Sequence, residues 1–160
     1  MTGPEKTRSW LLALLVLLVD QLTKRVALSE LAHSRPVEVL GNVVRLCLRM
    51  NAGAAFSLSW GGPTFLLVFN VAAAALVCVL LARCGRCTPL TGLALGAILG
   101  GAVGNVLDRL LYGAVVDFID VGAFGFRWPT FNVADIGITV GGLTLILFYR
   151  RPRAPVDETA

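Results

Sequence analysis

Charged residues are what this sequence has least of. Only 15% of its 160 residues are Asp, Glu, Lys or Arg, whereas a soluble domain carries about a quarter. That deficit excludes a free cytosolic enzyme, a disordered tail and a nucleic-acid-binding module of ordinary design. Histidine is also scarce, since His33 is the only one in the chain. The spacing of Cys84 and Cys87 matches half a zinc site, but the other ligands are lacking. We interpret both cysteines as incidental thiols.

Hydrophobic residues, in contrast, make up 56% of the chain. The length allows one domain, and the formal net charge is +4. In so apolar a chain, the expected partners of this positive charge are anionic membrane lipids, and no nucleic acid is expected. The composition therefore predicts an integral membrane protein.

Four segments are apolar and long enough, or nearly so, to cross a bilayer as helices. A hydrocarbon core of about 30 Å requires roughly 20 mostly apolar residues in a helix. The segments lack the alternation of membrane β-strands. We therefore expect an all-α integral membrane fold in a single domain over residues 1–160. Its predicted transmembrane helices cover about residues 9–27, 64–82, 91–111 and 132–149.

The distribution of Lys and Arg predicts the orientation of these helices. They are denser in the N-terminal segment, in residues 83–90 and in the C-terminal tail than in loops 28–63 and 112–131. By the positive-inside rule, both termini are expected in the cytoplasm. The N-terminal segment also has features of a secretory signal peptide. Charges at Asp20 and Lys24 stand where a cleavage region should be small and neutral, so we expect a retained helix.

The polar residues gather toward the outer membrane face. Ionisable groups in a span are costly, and they persist where they pair or perform chemistry. Asp20 and Lys24 are four residues apart and share a helix face, so a purely structural ion pair is an alternative for them. Asp117 and Asp135 have no adjacent cation to which this explanation could apply. The outer set comprises Asp20, Lys24, Asn51, Asn105, Asp108, Arg109, Asp117, Asp120, Asn132 and Asp135.

Glycines in the third predicted helix indicate how these groups could meet. Gly92, Gly96, Gly100 and Gly104 recur every four residues, which forms a stripe that lets a neighbouring helix approach closely. Glycines in the fourth helix offer a similar surface. Close packing of helices three and four is expected to bring the Asp117 region near the start of the fourth helix.

The start of the fourth helix has a capping sequence. Asn132-Val-Ala-Asp135 has the spacing of a capping box, with Asn132 as the N-cap and Asp135 at the third helical position. The helix dipole favours a negative charge at this end. A structural role for Asp135 is therefore compatible with a catalytic one.

Four sequence blocks, taken together and in order, resemble the lipoprotein signal peptidase family, also called signal peptidase II. The resemblance covers roughly residues 10–145. The blocks are Asp20-Gln-Leu-Thr-Lys24, Asn51-Ala-Gly-Ala-Ala-Phe56, Gly100-Gly-Ala-Val-Gly-Asn-Val-Leu-Asp-Arg109 through Val115-Val-Asp-Phe118, and Phe131-Asn-Val-Ala-Asp135.

The resemblance implies a four-helix aspartyl endopeptidase of the bacterial inner membrane. Such an enzyme cleaves prolipoproteins just before the cysteine that carries a diacylglyceryl group, and it requires no metal or other cofactor. We expect a monomer with its active site near the extracytoplasmic face. The family also has a small extracytoplasmic β-structure, for which the alternating residues 44–50 of the first outer loop are suited.

Matching the motifs residue by residue places the catalytic pair on Asp117 and Asp135. Two close carboxylates share one proton, so that one can activate water while the other donates a hydrogen bond to the scissile carbonyl. We expect Asp135 to be the ionised member more often. The supporting polar positions, expected to bind substrate or organise the site, are Asp20, Lys24, Asn51, Asn105, Arg109 and Asn132.

The polar residues and thiols also allow three other interpretations. A metal-dependent lipid-phosphate enzyme could use Asp108, Asp117, Asp120 and Asp135 as oxygen ligands. A channel or assembly subunit would use the charges only for helix packing. A thiol peptidase based on Cys47 and His33 lacks any supporting sequence pattern.

Overall fold

The computed structural model describes residues 3–31, 35–53, 62–85 and 87–148. His33, residues 54–56 of the second motif block and Tyr149, the expected end of the fourth helix, lie outside these ranges. The described chain forms four helices and four strands. The helices are α1 (Gly3–Glu30), α2 (Gly62–Arg83), α3 (Pro89–Tyr112) and α4 (Val133–Phe148). The strands are β1 (Val37–Leu40), β2 (Val44–Asn51), β3 (Val115–Ala123) and β4 (Phe126–Arg127).

The four helices occur where the apolar segments predict them, although α1 is longer at both ends. Among the described residues, α2 and α3 are long and apolar enough to cross a membrane, and α4 is a shorter apolar helix. The added turns of α1 contain Lys6 and Arg8 at one end and Glu30 at the other. These are good helix formers, and a hydropathy window does not detect such residues.

Helix α3 lies at the centre and packs against α1, α2 and α4. The glycine stripe faces α1, and not α4 as the sequence suggested. A Cβ at Gly96 or Gly100 would overlap the backbone of Ser9 or Ala13. The expected close packing of α3 and α4 does occur, but it uses Gly101 of α3 and Gly141 of α4. The two helices flanking α3 therefore approach it on separate glycine surfaces.

The four strands form an antiparallel sheet in the order β1-β2-β3-β4. Strand β2 confirms the predicted alternating strand. The expectation that the β-structure belongs to the first outer loop is incomplete, because β3 and β4 come from the second. Strand β3 is almost entirely buried, so its apolar residues do not alternate with polar ones, and strands of this kind lack the period-two signal.

The junction between α3 and β3 is short and well defined. Helix α3 begins after Thr88, whose side chain accepts a hydrogen bond from Thr91 N, and it ends at Gly113. Gly113 has φ 71° and donates to Arg109 O, the left-handed cap that glycine adopts without strain. Strand β3 starts two residues later, so Asp117 follows the end of α3 closely along the chain.

Below the sheet, two apolar clusters anchor the helices. Leu81 of α2 and Cys84, just after α2, pack with Leu95 and Leu99 of α3, and Ala13 of α1 completes this cluster. Ala27 and Leu31 pack with Phe118 of β3 in the second one. Cys84 is bonded to Cys87 as a disulfide, so the expectation of two free thiols is not met.

Candidate active site

Asp117 projects from β3 and is almost fully buried, with 2% of its surface exposed. Its two carboxylate oxygens each accept one hydrogen bond from an amide side chain. Oδ1 accepts from Asn132 Nδ2 at 2.7 Å, and Oδ2 accepts from Asn51 Nδ2 at 3.0 Å. Both donors are uncharged, so the carboxylate is oriented without a neutralising ion pair.

Asp135 lies in the first turn of α4 and forms the capping box that the spacing predicts. Asp135 N donates to Asn132 Oδ1 at 3.0 Å, and Asn132 N donates to Asp135 Oδ2 at 3.3 Å. The other carboxylate oxygen, Oδ1, accepts from Asn105 Nδ2 at 2.9 Å. Asp135 is partly exposed, which leaves it accessible from the cavity described below.

Lys24 is buried at the base of the site. Its Nζ lies 2.8 Å from a carboxylate oxygen of Asp20 and 2.8 Å from one of Asp108. It also donates to Asn105 Oδ1 at 2.9 Å. An ammonium group has three N–H donors, and here each has one acceptor. The ion pair expected within α1 is therefore part of a larger cluster that joins α1 to α3.

The carboxylates of Asp20 and Asp108 also accept hydrogen bonds from backbone N–H groups of other elements. Asp20 Oδ1 accepts from Ala134 N in the first turn of α4 at 2.8 Å. Asp108 Oδ2 accepts from Val116 N, the residue before Asp117, at 3.0 Å. The cluster thus fixes the chain immediately beside Asp117 and Asp135.

Asn105 and Asn132 connect the buried lysine to the two aspartates, and their amide orientations follow from their partners. Asn105 Oδ1 must accept from Lys24, so Asn105 Nδ2 is directed at Asp135. Asn132 Oδ1 accepts from a backbone N–H, so Asn132 Nδ2 is directed at Asp117. Both amides therefore present N–H donors to the carboxylates.

Asp117 and Asp135 line one cavity of about 300 Å³. Asn51 and Asn105 lie in its wall, together with Trp128 from the segment after β4. Arg109 also lines the cavity, and among the described residues its guanidinium donates to Asn105 O, at 3.3 Å.

The surroundings of Asp117 raise the pKa of its carboxyl group. Burial is the largest cause, and together with the negative charge of Asp135 it raises the pKa to about 6, against the lowering effect of the hydrogen bonds from Asn51 and Asn132. Asp117 therefore takes up a proton at a higher pH than an ordinary aspartic acid, as expected where a second carboxylate lines the same cavity.

Asp120, three residues along β3, is turned away from this cavity. Its carboxylate pairs with Arg45 of β2 at 2.8 Å and with Arg127 of β4 at 2.6 Å. Burial alone would raise the pKa of Asp120, but hydrogen bonds from the two arginines outweigh it and lower the pKa. Asp120 therefore ties three strands together and does not join the site.

The structure brings all eight predicted site residues to the cavity or its supporting cluster. It adds Asp108, which the sequence places one helical turn after Asn105 on the same face. It also adds Gln21, whose Nε2 donates to Asp108 Oδ1 at 3.0 Å. Trp128 was missed entirely, because an aromatic residue in a loop carries no signal of this kind.

The structure combines apolar helices with a small sheet, and polar side chains of both converge on one cavity. Two solved structures of a bacterial membrane enzyme, obtained by the in meso method at 2.3 Å and 1.9 Å resolution, are similar to this chain. They have TM-scores of 0.80 and 0.79, and both are 30% identical to it in sequence. The first similarity covers 88% of this chain and 86% of the solved one, and the second covers 88% and 91%.

Sequence comparison identifies the family. Residues 12–150 match signal peptidase (SPase) II. The lipoprotein signal peptidase of Ralstonia nicotianae is 46% identical over 145 residues, covering 86% of this chain and 82% of that protein. The one of Paraburkholderia phymatum is 42% identical over 147 residues, covering 86% and 84%. The chain belongs to the signal peptidase II family.

Proposed function

We propose that this protein is an aspartyl endopeptidase that removes the signal peptide from diacylglyceryl-modified prolipoproteins, cleaving just before the lipidated cysteine. The observation that carries the proposal is that Asp117 and Asp135 line one cavity, each held by amide side chains. Family membership supports the choice of substrate.

In the proposed reaction, Asp117 is the protonated member of the pair and Asp135 is the ionised one. Asp135 accepts a proton from water as the water oxygen attacks the scissile carbonyl carbon. Asp117 donates its proton to the carbonyl oxygen, which gives a tetrahedral diol. Collapse of the diol returns one proton to Asp117 and transfers the other from Asp135 to the leaving nitrogen. The pair then regains its starting state.

The supporting residues have different roles in this proposal. Asn105 and Asn132 orient the two carboxylates, and Asn51 fixes the second oxygen of Asp117. Asp20 and Lys24 organise the base of the site. Arg109, which lines the cavity, is available to a substrate carbonyl or to a lipid headgroup.

We further propose that all four helices span the bacterial inner membrane, in one domain over residues 1–160 that acts as a monomer. With both termini in the cytoplasm, the sheet and cavity lie at the extracytoplasmic face. The substrate's acyl chains would then rest on apolar helix surfaces while its peptide bond reaches the aspartates.

The test is cleavage of a lipid-modified prolipoprotein and of its unmodified counterpart by the purified protein. We expect cleavage of the lipidated form only, complete loss in Asp117→Asn and Asp135→Asn, and activity that persists in a chelator. Asp120→Asn is the matched control, because it removes a carboxylate from the same strand on the side away from the cavity. Turnover retained by either dyad variant, or lost equally in the control, would contradict the assignment.

A further inference from the structure

A second cavity adjoins the candidate active site. It has a volume of about 390 Å³ and lies between the middle of α2 and the facing surfaces of α3 and α4. Asn105, Arg109 and Asp135 line both cavities. We call this second cavity the α2 groove. It is continuous with the place where peptide cleavage is proposed.

Asn70 is the unusual residue of the α2 groove. Between Thr64 and Cys78 it is the only polar residue in α2, and it lies about 12 Å along the helix from Gly62. It lines the groove, and the described residues include no hydrogen-bond partner for its side chain. An amide without a partner is costly in an apolar environment.

Helix packing does not explain Asn70. An amide in a membrane helix usually bonds to a neighbouring helix. Here α2 is attached further along, where Leu81 and Cys84 pack against Leu95 and Leu99 of α3. Asn70 lies where α2 borders the α2 groove, so its amide is not part of this packing contact.

The proposed substrate has backbone groups that require a hydrogen-bond partner, and the Asn70 amide can provide one. A signal segment crosses the membrane as a helix, but its cleavage site must be extended for two aspartates to reach one peptide bond. Where the helix ends, its last carbonyl groups lose their internal partners. Within the bilayer such groups require partners from protein.

We propose that Asn70 binds a backbone peptide group of the substrate's signal segment in the α2 groove, where that segment unwinds before the scissile bond. The inference rests on the proposed function. An asparagine side chain has one carbonyl acceptor and an NH₂ donor, which complement the N–H and C=O of an extended peptide.

Two other apolar grooves of the described structure do not offer this complement. The groove beside Trp128, Ile136 and Val140 and the one between Leu22 and Phe118 contain no amide side chain. They suit acyl chains, which require only apolar contact. The α2 groove is therefore the one assigned to the peptide.

The test compares Asn70→Leu with Val71→Leu, a control at the next residue of α2, which does not line the groove. Leucine has the same branched arrangement of heavy atoms as asparagine, although it is larger, and it removes the hydrogen bonds. We expect kcat/KM for the lipid-modified prolipoprotein to fall about tenfold in Asn70→Leu, as for one buried neutral hydrogen bond, mainly through KM. Thermal stability should stay equal or rise, and Asn70→Gln should recover part of the activity.

Binding is measured separately with a fluorescent, unlipidated signal peptide in lipid nanodiscs, using Asp117→Asn so that nothing is cleaved. Asn70→Leu in this background should weaken binding about tenfold. Equal affinity with and without Asn70→Leu, or a kinetic loss that Val71→Leu shares, would overturn the inference. A loss seen only with lipidated substrate would move the contact to the ester carbonyls and also overturn it. Peptide binding that depends on Asn70, without any cleavage by the wild type, would refute the proposed function alone.

Discussion

Replacing Lys24 with methionine is expected to weaken the fold and to impair the site. Lys24, Asp20 and Asp108 are 2%, 0% and 1% exposed, so water cannot replace the lost ammonium group. Removing one partner from a buried ion pair costs about 3–5 kcal/mol. Methionine keeps most of the side-chain volume, so this loss reflects charge and not a cavity. For a chain of this length, Tm should fall by about 10 °C.

The same substitution should reduce activity beyond the loss of folded protein. Without Lys24, Asn105 Oδ1 loses its strongest donor, and the amide is no longer held with Nδ2 toward Asp135. The assay is thermal unfolding of detergent-purified protein, paired with kcat measured well below Tm. We expect kcat to fall at least tenfold while the protein remains folded.

A second substitution separates charge from other effects. The cluster of two carboxylates and one ammonium group carries a net charge of −1, and Lys24→Met changes it to −2. Lys24→Met with Asp108→Asn restores −1 and should recover at least a third of the lost stability. The reasoning would be refuted by a Lys24→Met protein with the wild-type Tm, or by a double variant no more stable than the single one.

Three other predictions concern protonation, packing and the sheet. Because burial raises the pKa of Asp117 to about 6 and its protonated form is the active one, kcat/KM should fall as pH rises through this range; a rate that increases tenfold per pH unit there would contradict the proton assignment. Gly104→Ala places a Cβ against the Asp20 carboxylate and should cost about 1–3 kcal/mol in thermal unfolding, whereas Gly142→Ala, which meets open space, should cost nothing. Asp120→Asn should lower the free energy of unfolding by at most about 1 kcal/mol for each arginine pair and leave kcat unchanged. Because the pKa of Asp120 is lowered, its stabilising contribution in the wild type is present at neutral pH and is lost only as pH falls through the acidic range. Unfolding at pH 7 and at pH 3 measures this difference.

Local sequence rules predicted those parts of the site that depend on neighbouring residues. Once the helix begins, the capping box of Asn132 and Asp135 can adopt only one geometry. The spacing of the two residues was therefore enough to predict it. Strand β2 was predicted because one of its faces is apolar, which produces alternation. These features depend on interactions over a few residues, which a single sequence records directly.

Features that depend on distant partners were not predictable in the same way. Asp117 and Asp120 were grouped together, since nothing in the sequence indicated that β3 is a strand whose alternation sends them to opposite faces. The glycine stripe of α3 indicated a close neighbour, but small residues do not specify which helix fills the space. The role of Asp108 likewise depends on a distant partner, because α1 brings Lys24 into contact with it.

The contact between α1 and α3 has a consequence for the length of α1. Because Gly96 and Gly100 meet the backbone at Ser9 and Ala13, α1 can neither slide nor turn against α3. One residue inserted after Ala13 would rotate everything beyond it by about 100° and carry Lys24 out of reach of its partners. The number of residues between this backbone contact and Lys24 is therefore as constrained as their chemical identity, and an insertion of neutral alanine should be as harmful as the loss of a charge.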